Sequence, residues 1–243
     1  MESIQVNGLV LRQVNYGEAD RILTVFTKEE GIIPVMAKGV RKYKSHQRAA
    51  ASLFCYGEFN LHPGKNMYSM RGSKLINSFY SISQSIQKLA LASYICEITA
   101  YFVPEREKEE DVLSLVLNTL YILSEKERDL FLIKSVFELK LLSMVGYEID
   151  TDRCILCGSE NTVVFSPDKS GMLCTDCASS EPACPASAVQ ALKYILKNDT
   201  KNIFSFSLDE AGLKSLSTLS ERFVLKISER NFSTLAYFYS ITD

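Results

Sequence analysis

Four cysteines stand in two pairs, Cys154-Ile155-Leu156-Cys157 and Cys174-Thr175-Asp176-Cys177, with sixteen residues between the pairs. Each C-x2-C places two thiolates on one turn of backbone. A spacer of about 15 to 20 residues is long enough to fold as a short hairpin that brings the two turns together. This spacing predicts one tetrahedral Zn2+ site held by Cys154, Cys157, Cys174 and Cys177. Four thiolates close the coordination sphere, whereas hydrolytic zinc keeps a position open for water, so the expected role is structural. The histidines, His46 and His62, lie far from the cluster in sequence, which leaves a mixed His/Cys catalytic centre of the deaminase kind little to build on.

The hairpin itself is legible. Val163-Val164-Phe165 and Met172-Leu173 read as strands around a turn from Pro167 to Gly171, and Gly158 follows the first pair where a positive φ is expected. Disulfides are the competing use of these thiols. Seven cysteines cannot all pair, and the chain starts without a signal-peptide pattern, so a reducing, cytoplasmic setting is expected. Cys55 and Cys96 read as buried thiols, and Cys184 is the one plausible substitute ligand.

Around this element the chain divides by period. Residues 1–78 carry short apolar or alternating runs, Gly8 to Val14, Arg21 to Thr27, Gly31 to Ala37, Ser52 to His62 and Asn66 to Arg71, punctuated by Asn15-Tyr16-Gly17, Glu29-Glu30-Gly31 and Pro63-Gly64-Lys65. Five short strands in this length predict a small closed barrel of the OB kind, with an SH3-like barrel as runner-up. Beyond residue 78 the period becomes helical. One helix runs from Ile82 to Phe102 and ends at Pro104, a second covers Val112 to Leu123, and a third covers Leu130 to Met144 with Gly146 as its stop. After the cysteines, Pro185 to Lys197 reads as a helix with proline at its start. Ser207-Leu208-Asp209-Glu210 has capping-box spacing before another, and the helical pattern continues over Ser220 to Glu229. The expected class is α+β: an OB-fold barrel (1–78), a helical domain in two parts (79–150 and 183–243), and a zinc ribbon (151–182) inserted between them.

Charge is distributed unevenly. The formal net charge is -2, yet residues 1–80 hold eleven Lys/Arg against six Asp/Glu. Lys38-Gly39-Val40-Arg41-Lys42-Tyr43-Lys44-Ser45-His46-Gln47-Arg48 packs five cations into eleven residues directly after a strand. Cations on a loop contact nucleic-acid phosphates, and an interleaved aromatic ring can stack on an unpaired base. Lys38, Arg41, Lys42, Tyr43, Lys44 and Arg48 are therefore candidate DNA-binding residues, and Arg12, Arg21, Lys65, Arg71 and Lys74 extend the same surface. A merely solvated, solubilising loop is the bland alternative. No apolar run approaches the roughly 18 residues that span a membrane.

The runs Gly8-Leu9-Val10-Leu11-Arg12, Tyr16-Gly17-Glu18-Ala19-Asp20, Thr24 to Thr27 with Gly31, and Ala37-Lys38-Gly39-Val40-Arg41-Lys42 resemble the amino-terminal signature of the RecO family. So does the ordered set Cys154-x2-Cys157-Gly158, Phe165-Ser166-Pro167, Gly171, Cys174-x2-Cys177, which resembles the family's zinc-binding members. The resemblance implies an OB barrel followed by a helical domain carrying the zinc element. It also implies binding of single- and double-stranded DNA, annealing of complementary strands, and a nucleoid-associated place in the cytoplasm. Further implied are partnership with RecR and with single-stranded-DNA-binding protein (SSB), and assistance in loading RecA on coated strands. No enzyme activity is expected. Two other classes compete on the residues alone. A nuclease or nucleic-acid-modifying enzyme would draw on Glu18 with Asp20 or on Glu109-Glu110-Asp111. A protein-only scaffold would use the ribbon for docking.

Overall fold

Alternation in the first third resolves into five strands, β1 (Ile4–Tyr16), β2 (Asp20–Thr27), β3 (Gly31–Ala37), β4 (Tyr56–His62) and β5 (Tyr68–Asn77), in a computed structural model. It describes residues 2–179, 181–182 and 184–242; the domain limits drawn at 1, 183 and 243 fall outside that set. The strands close in the order β1-β2-β3-β5-β4, with β1 paired to β4 and a short parallel contact between β3 and β5. This is the Greek-key closure of an OB-like barrel. Its interior is filled from alternate positions, among them Val6, Val10, Leu23, Val25, Ile33, Val35, Phe59, Leu61 and Met70.

Strands 1, 4 and 5 differ from the sequence reading. β1 runs from Ile4 to Tyr16 rather than Gly8 to Val14, because Ile4 to Asn7 pair with Glu58 to Leu61 of β4, and β5 starts at Tyr68 rather than Asn66. The fourth strand starts at Tyr56 rather than Ser52, because residues 41–55 fold as successive turns, with Ser45 N donating to Lys42 O, Ala51 N to Gln47 O and Cys55 N to Ser52 O. Phe54 inside this run has φ 63°, which extended pairing excludes. The fifth strand continues to Asn77 because Ser73, Lys74 and Leu75 find register partners in Phe59, Glu58 and Gly57.

A 3-10 turn (Tyr80–Gln84) leads into α1 (Ile86–Phe102), followed by α2 (Glu110–Glu125) and α3 (Leu130–Met144). The single helix expected from Ile82 is thus split at Ser85, whose hydroxyl accepts from Lys88 N and caps α1. Burial of Ala90, Leu91, Ala92, Tyr94, Ile95, Cys96 and Ile98 extends well over half way round α1, the pattern of a helix enclosed by neighbours. Asp129 caps α3 through Phe131 N and Leu132 N. The antiparallel pair β6 (Thr162–Ser166) and β7 (Gly171–Cys174) follows, then α4 (Ala186–Lys197), α5 (Glu210–Ser228) and α6 (Ser233–Ser240).

Pro185 precedes α4 as its cap residue. Asp209, not Ser207, stands at the start of α5, where its carboxylate accepts from Ser187 Oγ instead of closing a capping box. The sequence pattern missed α6. Glu229, in the left-handed region at φ 51°, ends α5, and Leu235 and Phe238 are the side chains α6 buries.

By compactness the chain forms two units, Met1–Glu125 with Thr234–Asp243, and Lys126–Ser233. In the first, Lys28 pairs with Glu110 at 2.6 Å, and Gly31 (φ 66°) has no space for a side chain, since a Cβ would lie 2.1 Å from Glu107 O. The second contains a charged network the sequence did not reveal. Lys134 and Glu138, one turn apart on α3 and fully buried, pair at 3.1 Å, while Lys134 also reaches Glu221 at 3.2 Å and Ser220 Oγ donates to Glu138 at 2.6 Å.

Candidate metal centre and nucleic-acid interface

The sulfur atoms of Cys154, Cys157, Cys174 and Cys177 all lie within 4.8 Å of one another, with Cys157 and Cys174 at 3.6 Å. A tetrahedron with metal–sulfur bonds of about 2.3 Å has edges of about 3.8 Å, so this donor set fits one ion the size of zinc. Local backbone makes the arrangement. Gly158, at φ 76°, turns the first pair so that its N–H donates to Cys154 O at 2.8 Å, and Cys154 N donates to Ser159 O at 2.7 Å. In the second pair Ala178 N donates to Cys174 O at 3.0 Å, and Ile155 N to Met172 O at 2.9 Å ties the first turn to β7. Together these residues can hold one metal ion.

The thiols themselves ask for a cation. Burial pushes the Cys154 thiol up but is outweighed by main-chain groups of Cys174, Cys157 and Leu156, which bring it down to about 6. Cys177 is pushed up to about 12, first by its sulfur contacts with Cys157 and Cys174. Four crowded sulfurs thus favour one thiolate and disfavour another, and a divalent ion bound among them would stabilise all four as thiolates. Cys184 is packed beside this cluster, but its Sγ meets Ser215 Oγ at 3.5 Å and Pro185 O at 3.7 Å and is not one of the converging four. Cys55 and Cys96 are buried, and burial raises both thiols.

On the barrel, the predicted cations separate into two sets. Arg21, Arg41 and Arg48 are tied to main-chain carbonyls. Arg21 Nη1 donates to Ala51 O at 3.2 Å, Arg41 Nη1 to Gly17 O at 3.1 Å, and Arg48 Nη2 to Arg41 O at 2.7 Å. Asp20 Oδ1 accepts from Gly39 N at 2.7 Å and Arg41 N donates to Ala19 O at 2.9 Å, so the basic segment is fastened to the β1–β2 turn. Arg21 shares the inward register of Leu23 and pairs with Ala37, which places it at one end of the barrel interior. Burial first, then repulsion from Arg41 and Arg48, draws its guanidinium below the ordinary value.

Lys38, Lys42, Lys44 and Tyr43 form the other set, exposed on the same segment, with the Tyr43 ring 92% exposed. Arg12 is exposed on β1 opposite Thr24, Lys65 lies in the β4–β5 turn, and Arg71 is the extra residue where register shifts between Asn60 and Leu61. Gln47 Nε2 donates to Arg71 O at 3.2 Å and brings β5 to the basic segment. Lys74 stands opposite Glu58.

Sequence reasoning missed the apolar part of this face. A bulge between Val10 and Arg12 reverses the alternation of β1, so Arg12, Val14 and Tyr16 face outward beside Ile22 and Thr24 of β2 and Pro34 and Met36 of β3. Val14 and Tyr16 are about half exposed, at 46% and 55%. The outer surface of strands 2 and 3 is where OB barrels take oligonucleotides, and fold identity plus one bulge is the signal that would have found these side chains. As for the carboxylates weighed for an enzyme, Asp20 anchors Gly39 and Glu110 pairs with Lys28. Among the described residues the cysteine quartet is the group of three or more metal-ligating side chains that converges, and no helix is long and apolar enough to cross a membrane.

Comparison with known proteins finds matches over nearly the whole chain. Residues 1–79 match the family model described as Recombination protein O N terminal, and residues 83–236 match Recombination protein O C terminal. A protein named DNA repair protein RecO from Acetivibrio thermocellus is 37% identical over 242 residues, covering 98% of this chain and 96% of that one. Proteins of the same name from Dehalococcoides mccartyi and Symbiobacterium thermophilum are 36% identical over 230 residues (91% of this chain, 90% of the relative) and 29% identical over 242 (96% of each). With an OB-like barrel, a helical part and a four-cysteine hairpin in that order, the chain belongs to the RecO family of DNA repair and recombination proteins.

Proposed function

We propose that this chain is a DNA-binding recombination mediator that holds single- and double-stranded DNA on its barrel and anneals complementary strands. With RecR, it would help load RecA on strands coated by single-stranded-DNA-binding protein, in the cytoplasm at the nucleoid. The carrying observation is the exposed set Lys38, Lys42, Tyr43 and Lys44 on a segment fastened to the barrel, beside a half-exposed apolar face that includes Tyr16. In this reading residues 1–78 bind DNA, with Arg12, Lys65 and Arg71 adding phosphate contacts and Arg21, Arg41 and Arg48 shaping the surface. Neutralising phosphates on two strands lowers their repulsion, so base pairing can nucleate without any bond being made or broken by the protein. Contacts to phosphate position a strand but do not read its sequence, and binding is expected to be sequence-independent.

In the ribbon, residues 151–182, the metal is taken to be zinc, held by Cys154, Cys157, Cys174 and Cys177; it supplies a structural cross-link. The protein side of that element supports its neighbours. Phe165 meets Phe223 of α5 edge to face, and Arg222 pairs with Asp168 at 2.7 Å. Titration of single-stranded and duplex oligonucleotides by gel shift at several salt concentrations tests the central reading. Salt-sensitive binding to both is expected. Salt-insensitive or absent binding would move the chain to a protein-only scaffold, and magnesium-dependent cleavage of the DNA would move it to an enzyme.

A further inference from the structure

Arg21, Arg41 and Arg48 raise a question of charge balance that the exposed lysines do not. Their guanidinium groups are brought to one end of the barrel by main-chain ties, Arg21 to Ala51 O, Arg41 to Gly17 O and Arg48 to the carbonyl of Arg41 itself. Arg41 N is fixed to Ala19 O, two residues from Arg21, so the three side chains share the space between the β1–β2 turn and the basic segment. Among the described residues none of the three forms an ion pair with a carboxylate. The nearest in sequence, Asp20, spends Oδ1 on Gly39 N, and Glu18 is exposed in the β1–β2 turn. Burial first, and then the charges of Arg41 and Arg48, depress the Arg21 guanidinium, so the three lie close enough to repel. Arg21 Nε is moreover a buried donor without a partner, and a buried, unmet N–H is costly enough to be uncommon.

Three like charges held together by backbone ties, each with further N–H groups beyond the tied one, present forked donors to an anion. We infer that Arg21, Arg41 and Arg48 form one pre-assembled subsite for a phosphate group, distinct from the exposed lysines that track a strand. The inference rests on the nucleic-acid reading above for the source of that phosphate, which is either a phosphodiester within a strand or the terminal phosphate of a strand end. Guanidinium groups bind phosphate oxygens through forked N–H pairs, which an ammonium cannot reproduce. The subsite therefore needs arginine geometry, whereas general attraction to DNA needs only charge.

Arg48→Lys separates the two, because Arg48 is exposed and the variant keeps its charge; Arg41→Lys repeats the test at a second corner. In phosphate-free buffer, adding inorganic phosphate to about ten times its Kd should raise the melting temperature of the native protein by about 3–6 °C. Both variants should melt like the native chain without phosphate and lose most of that rise. With oligonucleotides, both should lose about tenfold in affinity at an unchanged slope of log affinity against log salt, since the number of charges is conserved. Comparing 5′-phosphorylated with 5′-hydroxyl strands then assigns the source: a preference for the phosphorylated strand that Arg48→Lys abolishes marks a strand end, and equal binding of both marks an internal phosphodiester. No phosphate-dependent rise in the native protein, together with variants that bind DNA as tightly as it does, would overturn the subsite and leave the DNA-binding reading standing. A phosphate-dependent rise lost in the variants, in a protein that binds no DNA, would uphold the subsite and sink the DNA-binding reading instead.

Discussion

Charge and stacking can be separated on three consecutive residues. Lys42, Tyr43 and Lys44 are all exposed on the segment that follows β3, and the tyrosine ring is 92% exposed, so truncating any of them leaves the barrel core untouched. If both lysines neutralise phosphates, the double variant Lys42→Ala/Lys44→Ala removes two contacts. The slope of log affinity against log salt then becomes shallower by about 1.4 on single strands and about 1.8 on duplex. Raising salt from 50 to 200 mM should accordingly cost the variant about sevenfold less single-strand affinity than it costs the native protein. Tyr43→Ala should behave oppositely. Stacking on a base contributes about 1–3 kcal/mol and involves no counterion, so single-strand affinity should fall by a factor of about 5 to 150 with the slope unchanged and duplex binding little affected. Fluorescence anisotropy of labelled single-stranded and duplex oligonucleotides over a salt series reads all four quantities. A double variant with native circular dichroism and the native slope on both substrates would refute the assignment and return this segment to an ordinary solvated loop.

Metal analysis of freshly purified, reduced protein should give about one zinc per chain, and Cys174→Ser should lose the metal and most of the soluble yield, because structural zinc contributes about 10–16 kcal/mol in small finger peptides. Lys134→Met removes the cation shared by fully buried Glu138 and partly buried Glu221 and should cost about 3–5 kcal/mol in urea melts, whereas Lys134→Met/Glu138→Leu should recover part of the loss; equal loss in single and double variants would contradict the paired-charge account. Glu181 is held below the usual carboxylate range, first by Lys169 at 2.6 Å and then by Ser166. A depressed carboxyl contributes stability that is present above its unfolded value of about 4.3 and is lost as pH falls through the folded one, so Glu181→Gln should flatten the acid limb of melting temperature against pH below about pH 5. An unchanged acid limb would show that the Lys169 pair contributes nothing to the ribbon.

Legibility in the sequence followed how local the physics was. The cysteine site was readable because its ligands, its turn glycine and its hairpin all lie within Cys154 to Cys177. The β2 and β3 limits were readable because turn residues bracket alternating runs. Position relative to the barrel wall was not. Parity carried from Val6 and Val10 would point Arg12 inward, and only the bulge after Val10 turns it out and brings Tyr16 with it, while Arg21 falls on the inward side beside Leu23. Nor could composition pick out the tied cations in the Lys38 to Arg48 run, since Arg41 is tied to the Gly17 carbonyl, which the β1–β2 turn brings from elsewhere, and Arg48 to the carbonyl of Arg41. Lys134 and Glu138 escaped notice because an i,i+4 charge pair usually marks a solvated helix face, and here it is enclosed. Short α6 carries too few apolar positions to announce a helix by period alone.

That short helix has a consequence for how the protein is made. The chain leaves its first compact unit after Glu125, builds the whole second unit, and returns at Thr234, where Glu97 of α1 accepts from the Thr234 hydroxyl at 2.5 Å. During synthesis the barrel and α1 emerge from the ribosome early, but the segment that meets Glu97 emerges only after the four-cysteine hairpin and α5 have been translated. Folding of the first unit is therefore left one helix short for most of translation, and its completion is timed by the unit translated in between. A ribosome stalled after Ser228 would carry a barrel already able to close and an α1 still waiting for its last neighbour.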